Sequence, residues 1–355
     1  MTPTCAIGLM SGTSADGIDA ALVRTDGESR FQFLDFLSIA YDAEFRMRLL
    51  SCAIGRSSEQ ETDNVEQELS LRHAQAVNDL INRNRVVVDV IGFHGHTISH
   101  QPDEGFTRQL GDGQKLSDLC DTPVVFDFRS EDLRAGGQGA PLVPLFHQML
   151  FRESPPPCAV VNIGGVANVT WLENSMAIAG DTGPGCGLID AWIQKNTDAT
   201  FDHDGRFAAQ GTADSKVIAA LENFAFFDKP FPKSADRFDF QSISVDHLNV
   251  ADGAATLCEV TARSICDAIL RLGIPRTTWV AGGGAKHPTI VQRLREALGN
   301  VRRVEEVGLR TDSLEAECFA WLAVRRMRHL PTTMPSTTGC AAPTCGGKVA
   351  MPRKS

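Results

Sequence analysis

Apolar positions along the chain fall into short runs that alternate with longer segments of helical spacing. Thr4–Met10 reads as a buried strand, Ile18–Thr25 as its hairpin partner and Phe31–Ala40 as a third strand. Glu66–Asn82 carries Leu69, Ala76, Val77, Leu80 and Ile81 near helical spacing. Val86–Phe93 is a β-branched run that ends at His94-Gly-His-Thr97, and Val124–Phe128 reads as a strand before a glycine-rich connection, Ala135–Ala140. At Pro157 the order starts again: strand Cys158–Ile163, turn Gly164-Gly165, strands Val169–Leu172 and Met176–Ala179. The order recurs without residue identity, as in an old internal duplication. Helices are predicted over Leu188–Lys195, Ala213–Phe224 and Gly253–Leu272, and strand Thr278–Ala281 leads through Gly282–Gly284 into a helix opened by Pro288. Ser313–Arg328 is a last helix, with Glu315 and Glu317 in its first turn and Arg325, Arg326 and Arg328 in its last, the charge order the helix dipole favours. This alternation makes the chain α/β, with ligand positions at strand ends. The Thr-, Pro- and Gly-rich segment from Pro331 is expected to wrap the surface and end in a few disordered residues.

Composition narrows the partners. The chain has 355 residues, enough for two domains, and its 43% hydrophobic and 22% charged residues are those of a globular protein. A formal charge of −10 argues against nucleic acid and anionic membrane, so an anionic ligand needs local donors. Ten scattered cysteines, no signal peptide and no long apolar run point to a reduced cytoplasm. Cys258/Cys266 and Cys340/Cys345 lack zinc-site spacing.

Three glycine-rich turns stand where ligands bind. They are Gly8–Asp19 (GLMSGTSADGID), Asn162–Asn168 (NIGGVAN) and Ala281–Ala285 (AGGGA). Gly12, Thr13, Ser14, Ala15, Asp16, Gly17, Ile18 and Asp19 make the first a candidate phosphate cradle, with backbone and hydroxyl donors and with Asp16 and Asp19 as Mg²⁺ ligands. A tight Asp-Gly hairpin is the competing account. Gly164, Gly165, Gly283 and Gly284 extend the nucleotide site, or serve only tight helix–strand packing. Asp181, opening Asp-Thr-Gly-Pro-Gly185, is placed either as a general base or as a turn residue. His94, His96 and His100 suit a substrate contact or the core better than a metal. Arg129 is set either to clasp a carboxylate or to pair with Asp127 or Glu131. Gly136–Pro141 reads as a hinge, a substrate loop or a plain linker.

These segments, together with Phe128-Arg129 and Asp132, Leu188-Ile-Asp190, Pro232-Lys-Ser234, and Glu315-Ala316 with Phe319-Ala320, recur in an order that closely resembles the anhydro-N-acetylmuramic acid kinases, within the sugar kinase/Hsp70/actin superfamily. The resemblance runs from Cys5 to about Val349. It implies two actin-like (RNase H-like) ATPase lobes with an ATP cleft between them, over 1–135 with 330–355 and over 136–329. It also implies ATP and Mg²⁺, and a reaction that opens 1,6-anhydro-N-acetylmuramic acid with water and phosphorylates O6. By that resemblance Asp181 is the base, Arg129 clasps the lactyl carboxylate, and His94, Thr97, Gly183 and Glu315 line the sugar pocket. Actin-like sugar kinases are often dimers, so a homodimer is compatible with it. The sequence departs from the family at His96 (usually Gln), Cys186 and His287 (usually Asn) and at Ala235-Asp236 (usually Thr-Gly). These departures leave open a different amino-sugar kinase on the same fold and a nucleotide-dependent sensor without chemistry.

Overall fold

The computed structural model describes residues 2–236 and 239–353. The chain divides into two compact units, one of residues 1–149 with 312–355 and one of residues 150–311. In chain order the first holds β1 (Thr4–Ser11), β2 (Gly17–Thr25), β3 (Phe31–Ala40), α1 (Ala43–Ala53), α2 (Glu59–Asn84), β4 (Val90–Gln101), β5 (Phe106–Leu110), α3 (Gly113–Cys120), β6 (Val124–Phe126), α4 (Ser130–Arg134) and α5 (Pro144–Leu150). The second holds β7 (Cys158–Ile163), β8 (Val166–Glu173), β9 (Met176–Pro184), α6 (Gly187–Asn196), α7 (Ser215–Ala220), α8 (Ala225–Asp228), α9 (Val250–Leu272), β10 (Thr277–Ala281), α10 (Pro288–Leu298) and β11 (Val301–Arg303). The chain then returns to the first unit with α11 (Leu314–Met327), α12 (Pro335–Thr338) and β12 (Lys348–Ala350).

Local chemistry sets the helix ends. The side chains of Asp42, Ser58 and Asn249 accept from backbone N–H groups in the first turns of α1, α2 and α9, and Pro288 opens α10 where no N–H is needed. The sheets follow from burial. β1 is apolar on both faces, and its neighbour β4 runs parallel to it, as a central strand covered on both sides should. The first sheet is ordered β12-β6-β4-β1-β2-β3, with β5 beside β4; the second is β11-β10-β7-β8-β9. In each, the first three strands are antiparallel and the next two run parallel to the first. The recurring strand order in the sequence is therefore a recurring topology.

Two helices cover the first sheet. Cys5, Ile7, Leu9, Ile91 and Phe93 join one apolar cluster with Leu69, Val77 and Leu80 of α2. The alternate positions Gly8 and Gly92 face the other way, toward α11. A Cβ at Gly8 would stand 1.8 Å from the Ala316 carbonyl oxygen, and one at Gly92 would stand 2.0 Å from that of Phe319. No side chain fits between these strands and the helix backbone. In the second unit α9 is similarly close to α6, with Gly253 against the Trp192 indole.

The structure differs from the sequence reading in several places. Residues 136–149 and α11 pack with the first unit, where the sequence reading put them in the second. The segment from Pro331 does more than wrap the surface: β12 extends the sheet beside β6, and Thr333, Thr338 and Cys340 are buried. The expectation of disorder for the last few residues falls mainly outside the described ones. Strand β4 starts at Val90, because Arg85 ends α2 in a left-handed conformation and residues 86–89 cross to the sheet, and it then runs through the histidine segment. Among the described residues no helix is long and apolar enough to cross a membrane.

Gly8→Ala is expected to lower the unfolding free energy by about 3 kcal/mol, because backbone has to move to admit the methyl group. Gly283→Ala, where a Cβ meets nothing within 4 Å, is expected to stay within about 0.5 kcal/mol of the parent. Urea unfolding of both variants followed by tryptophan fluorescence checks the pair.

Candidate active site

In the first unit the β1–β2 turn is short and held at both ends. The Ala15 N–H donates to the Gly12 carbonyl (2.9 Å), with Ala15 buried in the left-handed region at φ 53° while Thr13, Ser14 and Asp16 are exposed. At the entry, the Tyr41 hydroxyl donates to Ser11 Oγ (2.9 Å), which lies 3.0 Å from His96 Nδ1. At the exit, the Tyr41 N–H donates to the Asp16 carbonyl (2.9 Å). Arg46 reaches the Ser14 carbonyl (3.2 Å) and lies 3.6 Å from the Asp16 carboxylate. Asp19, on β2, is bonded to Ser38, and its pKa is raised by burial first and then by the charges of Asp312 and Asp16.

Gly95 breaks the alternation of β4. At φ 75° it accompanies a register shift against β1, so His94 and His96 meet different surroundings although they are two residues apart. His96 meets Ser11, whereas the His94 ring lies 4.6 Å from that of Phe319 on α11. Burial above all, and then the Arg129 guanidinium, hold His94 well below the usual histidine range. The neutral ring has one consistent tautomer: Nδ1–H donates to the Gly95 carbonyl (3.0 Å), and Nε2 accepts from Arg129 Nε (3.1 Å). Both ring nitrogens of His94 are engaged within this unit, one by the Gly95 carbonyl and the other by Arg129. Arg129 Nη1 also donates to the Gly139 carbonyl (2.7 Å). The fully buried Asp132 carboxylate in turn accepts from Gly139 N–H (2.7 Å), Thr333 (2.5 Å) and Thr338 (2.7 Å). Gly136–Pro141 is thus pinned inside the first unit by Asp132 and is not a linker between units. Thr97 accepts from Gln109 (3.3 Å), and Glu315 stands half-buried in the first turn of α11.

In the second unit Asp181 lies within β9, where the sequence reading set it at the strand's end. It faces Asn168 of β8, which faces Asn162 of β7, so the three share one row across the sheet. Asp181 is 7% exposed and is held twice by the segment that follows α8. Its N–H donates to the Lys233 carbonyl (2.8 Å), and its Oδ2 accepts from the Ala235 N–H (2.7 Å). Gly183, at φ 152°, lies where a Cβ would meet Ser264 at 2.8 Å, which gives that glycine a packing reason. The two remaining turns are tied together by Cys186, whose N–H donates to the Gly164 carbonyl (2.7 Å) and whose sulfur lies beneath Gly284. Burial pushes the Cys186 thiol up to about 12, so it is a packing residue. His287, buried ahead of α10, lies 3.4 Å from the buried Asp202 carboxylate.

Glycines with and without a packing reason now separate. Gly17 and Gly284 would each drive a Cβ to within 2.3 Å of a neighbour. At Gly12 the nearest atom would be Ser14 Oγ at 3.7 Å, at Gly164 the Val166 oxygen at 3.5 Å, and at Gly283 nothing lies within 4 Å. The protein itself does not require glycine at these three positions, one in each turn. Among the described residues no three His, Cys, Asp or Glu side chains converge as a metal site, and the β4 histidines do not do so.

With the β5 hairpin and the added β12 of the first unit set aside, each unit carries the strand order third-second-first-fourth-fifth of an RNase H-like lobe, so the chain is of the actin-like ATPase class, with a glycine-rich turn after the first strand of each lobe. The chain belongs to the anhydro-N-acetylmuramic acid kinase family, whose model matches residues 4–352. It is 45% identical to the anhydro-N-acetylmuramic acid kinase of Acidiphilium cryptum over 356 residues, which covers 98% of each chain. It is 44% identical to that of Rhizorhabdus wittichii, covering 98% of this chain and 99% of the relative. Among solved structures it resembles component A of the (R)-2-hydroxyglutaryl-CoA dehydratase of Acidaminococcus fermentans at 14% identity and a TM-score of 0.46, covering 92% and 99% of the two chains.

Sequence reasoning missed Tyr41, which fastens both ends of the first turn, and gave no role to Lys233. Tyr41 is the only tyrosine of the chain and follows directly on β3, a signal that was available.

At pH 6 the ¹⁵N shifts of His94 are expected to report a neutral ring protonated at Nδ1. An imidazolium, or a neutral ring protonated at Nε2, would contradict the bond from Arg129.

Proposed function

We propose that this chain is an ATP-dependent kinase that opens 1,6-anhydro-N-acetylmuramic acid with water and phosphorylates O6, giving N-acetylmuramic acid 6-phosphate and ADP. The observation that carries the reading is membership of the family across residues 4–352. The geometry supports it in three ways. The glycines without a packing reason leave room for phosphate against backbone N–H groups at Gly12–Ser14, Gly164-Gly165 and Gly283-Gly284. Asp181 is a buried residue fixed at its main-chain N–H and, through the Ala235 N–H, at its carboxylate, an acceptor for the proton of the attacking water. Arg129, its guanidinium plane set by His94 and Gly139, clasps the lactyl carboxylate, with Thr97, Gly183 and Glu315 against the sugar.

In this reading Asp181 takes a proton from water as the water oxygen bonds to the anomeric carbon. The bond from that carbon to O6 breaks, and O6 takes the γ-phosphoryl group as ADP leaves. Asp19 and Asp16 hold Mg²⁺. The fit lies in Asp19, a carboxylate raised by burial and by two neighbouring acids, whose charge a divalent cation offsets. When bound, the ion neutralises charge on the transferring phosphate. The setting is the cytoplasm, in the turnover of cell-wall peptidoglycan, and the substrate is a small molecule rather than nucleic acid.

The test is turnover of 1,6-anhydro-N-acetylmuramic acid with ATP and Mg²⁺ in ¹⁸O-labelled water, read by mass spectrometry. A sugar phosphate with one solvent oxygen is expected; phosphorylation only of free amino sugars would replace the proposal with an ordinary amino-sugar kinase. Asp181→Asn is expected to lose at least about 10²-fold in kcat with nucleotide affinity nearly unchanged. Gly283→Ala, close to neutral for folding, is expected to weaken ATP binding, which isothermal titration would detect.

A further inference from the structure

The segment that holds Asp181 is itself held by one buried charge. Residues 231–235 run directly over β9. A Cβ at Gly180 would lie 2.7 Å from the Lys233 carbonyl oxygen and 2.7 Å from the Phe231 ring, so the contact admits no side chain there. From this segment come the two backbone partners of Asp181, the Lys233 carbonyl and the Ala235 N–H. Beyond Lys233 Nζ the anchor is α8. The ammonium donates to the carbonyls of Phe226 (2.9 Å) and Phe227 (3.3 Å), and it lies 4.4 Å from the centre of the Phe226 ring and 5.4 Å from that of Phe231. Lys233 is 5% exposed, which is unusual for a lysine. A surface lysine would leave its charge in water; this one bonds the helix's carbonyls and is covered by two rings.

We propose that Lys233 is a positioning residue for Asp181. Its ammonium, clamped to the carbonyls of α8 between Phe226 and Phe231, fixes the 231–235 segment and through it both bonds to Asp181, one at its main-chain N–H and one at its carboxylate. The proposal rests on Asp181 being the base. It gives a consequence that packing alone does not. Burial first, and then Arg271 on α9, bring the Lys233 pKa down to about 8, with Asp181 on β9 and Asp228 on α8 acting the other way and Lys229 lowering it slightly. Arg263, Asp267 and Glu222 line the same recess, of about 240 Å³, alongside it. The protonated form is the one that bonds both carbonyls and the rings. It is present below about pH 8 and is lost as pH rises through that value, so the hold on Asp181 loosens and turnover falls on the alkaline side.

The experiment measures kcat and sugar KM from pH 6.5 to 9.5 at saturating ATP for the parent, Lys233→Met, Lys233→Arg and Asp181→Asn, with a thermal melt of each. The parent is expected to lose kcat with a midpoint near pH 8. Lys233→Met is expected to have kcat reduced about 10- to 100-fold at pH 7, sugar KM within about twofold, and no fall near pH 8. Lys233→Arg is expected to keep kcat within about threefold at pH 7 and to carry the fall beyond pH 9.5. Parent-like kcat in Lys233→Met, or the same alkaline fall in that variant, overturns the proposal while an inactive Asp181→Asn leaves the base reading standing. If Lys233→Met does not fold, a parent kcat that stays flat to pH 9.5 overturns it, and a fall near pH 8 that Lys233→Arg displaces upward supports it. Turnover retained in Asp181→Asn overturns both.

Discussion

Helix α11 lying directly on Gly8 and Gly92 is the constraint on which the first unit depends. The helix backbone reaches the two central strands, and at that distance every other residue type is excluded. Two consequences follow from this one approach. Ala316, Phe319, Ala320 and Ala323 become the face of the helix that meets the sheet, and Phe319 is delivered onto the rings of His94 and Phe128. Phe128 immediately precedes Arg129. The packing that closes the core therefore also sets the pair through which Arg129 is aimed, and a change in helix height would move both. The helix comes from far along the chain, after the whole second unit, so the first unit is not complete until its last residues are in place.

Much of the scaffold was legible in the sequence because its strands are uniform. β1, β3 and β7 are dense apolar or β-branched runs bounded by turn residues, and their ends fall where that pattern ends. What was not legible is tertiary. That α11 belongs to the first unit follows from the glycines on β1 and β4, and a glycine in a strand does not say what approaches it. β12 is three residues long and has no period to read. For the site, the turns could be found because glycine and hydroxyl residues cluster there, but their two uses could not be told apart. Gly282 and Gly284 serve contact with β7, while a Cβ at Gly283 between them would meet nothing within 4 Å. The His94–Arg129 pairing was likewise hidden: the two residues are 35 apart, and Gly95 turns His94 away from His96 in a manner no alternation predicts.

The anchoring in the two units follows one logic with different parts. In the first, a buried aspartate, Asp132, gathers the Gly139 N–H and two threonines of the tail, and so fixes the loop whose Gly139 carbonyl receives Arg129. In the second, a buried lysine gathers two carbonyls and fixes the segment that receives Asp181. In both cases a buried polar head is satisfied by groups of opposite polarity, a backbone N–H and two hydroxyls for Asp132 and two carbonyls for Lys233, and Arg129 or Asp181 is reached through one more backbone bond. A buried charge with a full set of partners resists displacement, since breaking any one bond leaves it unsatisfied where solvent cannot substitute.

The two sheets share a topology but not a placement of acids, and this asymmetry bears on the division of labour. In the second sheet the row across the first three strands reads Asn162, Asn168, Asp181, with the acid on the third strand; in the first it reads Met10, Asp19, Ser38, with the acid on the second. Asp181 is held by two backbone groups and pairs across the sheet with neutral amides. Asp19 stands near two further acids, Asp16 and Asp312, in a setting that disfavours its charged form unless a cation is close. A recurring topology therefore offers two carboxylates in different surroundings, one among neutral amides and one near further acids. Under the proposed function the first would take the proton of water and the second would meet the metal ion.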